Sequence, residues 1–130
     1  MPYTPTVWVD DSVPAISAAN LNHIEAGIAA ATTFTEQWET LTIPSNGSWQ
    51  NVALSGYGVA AGDVCEVVLT TDKGGPLACG VREDGSALVR LLYIHSGPVS
   101  LTVTALGATA IIEVYRENAD VTVRLAGYWG

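Results

Sequence analysis

Positive charge is the scarcest commodity in this chain. Its 130 residues carry one lysine, Lys73, and four arginines, Arg82, Arg90, Arg116 and Arg124, each standing alone. Set against 13 acidic residues they leave a net charge of −8. With no basic patch to neutralise phosphates, nucleic-acid binding is excluded as an expectation. Charge of either sign is sparse, at 14% of residues, where an ordinary soluble protein has roughly 25%. A chain that is 48% hydrophobic has little polar material to cover an isolated surface. An assembly subunit, with part of its apolar surface buried by neighbours, is therefore expected. Long apolar runs are also missing. No stretch of roughly eighteen such residues occurs, so no membrane-spanning helix and no membrane insertion are expected. The amino end has no basic region leading into an apolar core, so no secretory signal is expected and synthesis is placed in a cytoplasm.

The residues of chemistry are just as few. His23 and His95 are the only imidazoles, one on a helical pattern and one in a distant loop. A zinc site needs three or four converging ligands, and the two cysteines, Cys65 and Cys79, form no Cys-x-x-Cys pair. These cysteines flank one apparent hairpin about a turn near position 72. Two readings stand there: a local disulfide, or reduced thiols packed as small apolar groups. A reducing cytoplasm favours the second. No Gly-x-Ser-x-Gly elbow and no phosphate loop occur. The acid pairs Asp10-Asp11 and Glu83-Asp84 sit in turns, as solvated turn formers do. No catalytic residue, metal or cofactor is expected, and the chain is read as a non-enzyme.

What is present falls into two parts, residues 1–40 and 41–130. Pro2, Pro5 and Pro14 hold the first sixteen residues out of regular helix. Trp8 in this extended arm has two readings, packing on the chain's own helix or anchoring in a neighbour. A helix is predicted to begin at Ser17, whose hydroxyl can accept from the Asn20 backbone N–H. Ile16 before the cap and Leu21 after it have the spacing of a hydrophobic staple. Leu21, Ile24, Ile28 and Ala31 recur at steps of three and four, and Thr35 and Trp38 continue the series as a heptad-like seam. Gly27 and Thr32-Thr33 weaken a helix that is already marginal alone, so the seam must pack, either on the chain's own β domain or on symmetry copies.

From Leu41 the pattern turns to about eight short strands separated by Gly-rich turns. Cys65, Val67 and Leu69 alternate on one face of the segment 64–70. The expected fold is mainly β, an antiparallel β-sandwich of jelly-roll-like type behind an arm and one α-helix. Trp49, Tyr57, Tyr93, Tyr115, Tyr128 and Trp129 are aromatics that form core and contacts or stack on a sugar face.

The run Trp8-x-Asp10, Pro14-x-Ile16-x-Ala18-x-Asn20-Leu21-Asn22-x-Ile24-Glu25-x-Gly27-Ile28 resembles a segment common in bacteriophage virion proteins of the tail-fibre, baseplate and head-fibre kinds. Weaker likeness to β modules at the ends of phage fibre and adhesin chains lies in Gly80–Ser86, Ile112–Tyr115 and Ala119–Trp129. Fibre-like phage proteins are commonly trimers. The resemblance therefore implies a homotrimer through Leu21, Ile24, Ile28, Ala31 and Trp38, with Trp8, Pro14 and Ile16 as the attachment to the major capsid protein or other virion proteins. It places the protein in the virion, on the particle surface, as a capsid decoration or head-fibre protein, since one β domain is short for a receptor-binding fibre. The alternative is a tail-fibre or baseplate protein recognising a host surface glycan, with Tyr128 and Trp129 as first contacts.

Overall fold

The computed structural model describes residues 4–5 and 18–130, with backbone alone at 30–32. Trp8, Pro14, Ile16 and the Ser17 cap lie outside the described residues, as does the side chain of Ala31. Among the described residues one α-helix, α1 (Ala18–Thr32), precedes eight strands. They are β1 (Phe34–Thr40), β2 (Gln50–Ala53), β3 (Val64–Thr70), β4 (Leu77–Glu83), β5 (Leu92–Ile94), β6 (Val99–Thr104), β7 (Ile111–Arg116) and β8 (Thr122–Trp129). They form two four-stranded antiparallel sheets, in the orders β1-β8-β3-β6 and β2-β7-β4-β5. The architecture is mainly β and sandwich-like.

Alternation builds the core. Cys65, Val67 and Leu69 of β3 and Val123 and Leu125 of β8 turn inward from one sheet, while Cys79 and Val81 of β4 and Ile112 and Val114 of β7 turn inward from the other. Each is essentially inaccessible, as the period of two requires for a strand with one buried face. Leu41 and Ile43, predicted to lie on a strand, instead occupy an extended segment just after β1 and are buried in the core. The Leu41 N–H donates to the Val123 carbonyl at 2.8 Å.

Two expectations need correction. The helix ends at Thr32 and does not carry the series on to Thr35 and Trp38, because 34–40 is a strand hydrogen-bonded to β8. The reason is local. Thr32-Thr33-Phe34-Thr35 is a β-branched and aromatic run, costly in helix and favoured in a pleated sheet. Thr33 closes the helix by donating its hydroxyl to the Ala29 carbonyl at 2.8 Å. Trp38 therefore stands on β1 and leaves the helix seam. The second correction concerns the cysteines. The turn between β3 and β4 is no hairpin turn, because β3 and β4 belong to opposite sheets. Cys65 and Cys79 are both free and buried, so the packed-thiol reading stands.

The β1–β8 pairing is irregular in an informative way. Between Glu36↔Gly127 and Glu39↔Leu125 the strand β1 has two residues, Gln37 and Trp38, where β8 has only Ala126. This is a β-bulge, and Trp38 takes the left-handed conformation there, with φ 53°. Gln37 secures it by donating from Nε2 to the Tyr57 carbonyl at 2.8 Å. Beside the bulge, the Phe34 ring and the Thr35 carbonyl occupy the space that a side chain at Gly127 would need. Phe34 crosses this glycine to meet Trp129, ring centroids 4.6 Å apart. Gly127→Ala would displace that ring and a backbone carbonyl together, so about 1–3 kcal/mol of stability should be lost to overpacking. Urea unfolding of the variant beside the parent checks this.

Candidate interaction surfaces

Among the described residues, no group of three His, Cys, Asp or Glu residues comes together that could hold a metal ion. The thiols are unfit as nucleophiles. Burial pushes Cys79 up to about 11, and burial assisted by the negative charge of Asp63 does the same to Cys65, so at neutral pH both stay protonated. No helix among the described residues is long and apolar enough to cross a membrane.

The surfaces that stand out are three. The first is α1. Leu21 is half-buried, but Ile24 is 56% exposed and Ile28 42% exposed. The seam expected from the sequence thus presents its middle to solvent in the single chain. Trp38 does not join it.

The second surface is the outer face of β2-β7-β4-β5. Glu113 lies inside an apolar strand sequence, Ile111-Ile112-Glu113-Val114, and faces away from the core. Its Oε1 accepts from Arg82 Nε at 3.1 Å and from Nη2 at 2.9 Å, and its Oε2 accepts from the Gly85 N–H at 2.7 Å. Arg82 Nη1 reaches the Leu88 carbonyl at 2.8 Å, and its guanidinium lies 4.1 Å from the Trp49 ring centroid. Trp49 in turn tilts against Tyr115, centroids 5.7 Å apart. This cluster straps the 84–91 loop onto the sheet. The strap passes so close that the Arg90 carbonyl fills the place of a Gly80 side chain. Trp49 and Tyr115 are thus neither core nor free platforms. The sequence reading did not pair Arg82 with Glu113, although a carboxylate flanked by aliphatics on a strand is a readable sign that a partner must lie nearby. At the tip of the loop Leu88 and Val89 are exposed, and Tyr93 on β5 is 68% exposed.

The third surface is the outer face of the other sheet. Phe34, Glu36, Trp38, Glu66 and Ala126 line an open groove of about 360 Å³ there. Trp38 is 59% exposed. The Arg124 guanidinium sits 5.5 Å from its ring centroid while Nη1 donates to the Thr40 hydroxyl at 2.8 Å. Ser100 donates its hydroxyl to Glu66 Oε1 at 2.7 Å. Of the two terminal aromatics singled out in the sequence, Trp129 belongs to this face through its contact with Phe34. Tyr128 packs against the core instead, its hydroxyl lying against Gly58. The register explains the split. Cys65↔Tyr128 is an inward pair, and Val64↔Trp129 and Phe34↔Trp129 are outward ones.

Compared with family models, with curated proteins and with solved structures, the chain matches none of them.

Proposed function

We propose that this protein is a bacteriophage virion structural protein displayed on the particle surface, as a capsid decoration or head-fibre protein. The residues before α1 attach it, the helix seam gathers three copies, and the two-sheet body projects as a jelly roll. In this reading the chain holds and displays; it does not catalyse.

The observation that carries the reading is Ile24. It is the middle of an apolar seam, it is 56% exposed, and it lies in the same stretch that resembles virion segments. A helix of 15 residues is too short to hold itself together in water, and a large aliphatic side chain gains free energy when a neighbour covers it. The eight-strand order β1-β8-β3-β6 over β2-β7-β4-β5 supports the jelly roll, because each sheet draws its strands from both halves of the chain, as two nested Greek keys do.

Two measurements test the reading. Light scattering of the purified protein should give three times 13.6 kDa, and Ile24→Asp should return the monomer by placing an unpaired charge in the contact. Deleting residues 1–16 should abolish incorporation into particles while leaving the melting temperature nearly unchanged. A monomeric parent that nonetheless decorates particles would remove the trimer from the proposal; a truncated chain that incorporates normally would remove the arm. Copy number in purified particles separates decoration, with hundreds of copies expected, from the rival tail-fibre or baseplate receptor-binding role, with only a few trimers.

A further inference from the structure

The outer face of β1-β8-β3-β6 contains a residue that is hard to explain by folding. Trp38 is a bulky aromatic in left-handed backbone, φ 53°, a conformation that non-glycine residues adopt at a cost. It is 59% exposed, so little burial offsets that cost. Glycine is the residue that such a bulge position favours. The bulge turns the Trp38 ring out at the rim of the groove whose other walls are Phe34, Ala126, Glu36 and Glu66. One acid is oriented: the Ser100 hydroxyl holds Glu66 Oε1. Neither acid has an ion-pair partner among the described residues.

We propose that this groove is a binding site for a neutral hexopyranoside unit of a glycan, stacked on Trp38 and hydrogen-bonded through its hydroxyls to Glu66 and Glu36. The chemistry of the lining selects the ligand. A pyranose presents an apolar C–H face and an equatorial belt of hydroxyl donors. The groove presents aromatic faces and two carboxylates that only accept. Its volume falls in the range of small-ligand sites, roughly 300–1,000 Å³. Sialic and uronic acids are disfavoured by the two carboxylates and by the chain's net charge of −8. A cationic ligand meets a ring that already has the Arg124 guanidinium near it. The site does not depend on the virion reading, since a sugar can be held by a chain on a particle or by a free one.

The test is titration of the full chain with methyl glucopyranoside, galactopyranoside and mannopyranoside, and with N-acetylneuraminic acid, followed by amide and indole chemical-shift mapping. At least one neutral glycoside should saturate the shifts of the Trp38 indole and of the Glu66 and Ala126 amides, and the sialic acid should not. Trp38→Gly, which relieves the backbone rather than straining it, should weaken binding by about tenfold or more, the equivalent of one lost stacking contact. Glu66→Gln should weaken it as well, and Tyr93→Ala, on the other sheet, should leave it unchanged. Three results would overturn the proposal: no neutral glycoside shifting these signals, binding that survives Trp38→Gly, or a Trp38 indole signal that responds to protein concentration while the mass rises. The last would make the groove a contact between copies of the chain.

Discussion

Replacing Glu113 with alanine should lower the unfolding free energy by about 3 kcal/mol, the lower end of what breaking a buried ion pair costs. The effect is large because three donors lose their acceptor at once. Arg82 Nε and Nη2 and the Gly85 N–H all converge on this carboxylate, in a pair whose side chains are only 13% and 11% exposed. The guanidinium would remain under the 84–91 loop with only the Leu88 carbonyl and the Trp49 ring for company. Glu113→Gln should cost less, since an amide oxygen can still accept from Gly85. The loop gives a second readout: limited proteolysis should cut within residues 84–91 in the alanine variant well before it cuts the parent. Equal urea midpoints for Glu113→Ala and the parent would show that the strap contributes nothing to stability.

A comparable loss is expected without any substitution, by raising the pH. Both thiols are held at about 11 in the folded protein, against 9.0 unperturbed. Below pH 9 both states keep their protons and the stability contribution is complete. Between 9 and 11 the unfolded chain ionises first, which favours unfolding. Each thiol should cost about 2–3 kcal/mol across that window, and the pair together a large part of a typical domain's 5–15 kcal/mol. Urea unfolding of the parent at about pH 8 and about pH 11 should show the fall. Tyrosines and Lys73 also titrate there, so the double variant Cys65→Ala/Cys79→Ala supplies the comparison: less stable at the lower pH, but with a much shallower decline. A decline as steep as that of the parent would assign the effect to other groups.

The strands with one buried face were legible in the sequence because alternation is local. Cys65, Val67 and Leu69 announce both the strand and its inward side. Strand β1 was hidden by an accident of spacing: Thr35 and Trp38 extend the helical series of Ile28 and Ala31, while the β-forming run from Thr32 argues the other way, and pairing with β8 decides it. The connection between β3 and β4 was misread for a different reason. Asp72-Lys73-Gly74-Gly75-Pro76 has the composition of a hairpin turn, and composition does not tell a turn within a sheet from an arch between sheets. That choice is settled by the core, which needs Cys65 and Cys79 on opposite walls. The groove was beyond reach altogether. Glu36, Trp38, Glu66 and Ala126 come from three strands, and only the order β1-β8-β3 brings them side by side.

The bulge at Gln37–Trp38 has a consequence for solubility. Among the described residues, strand β1 is one edge of its sheet, with a row of backbone groups that a strand from another chain could continue. The net charge of −8 supplies general repulsion between copies, but it leaves those backbone groups uncovered. The kink interrupts the ladder near its midpoint, and Glu36 and Glu39, both exposed, flank it with like charges. An incoming flat strand would meet a broken hydrogen-bond register and two carboxylates, features that blunt edge-to-edge growth. At the edges of the other sheet, β5 has only 3 residues and β2 only 4, too short to template a long partner. Straightening β1 by deleting one residue of the bulge should therefore favour fibril growth from the folded state, read as a rise in thioflavin T fluorescence over the parent.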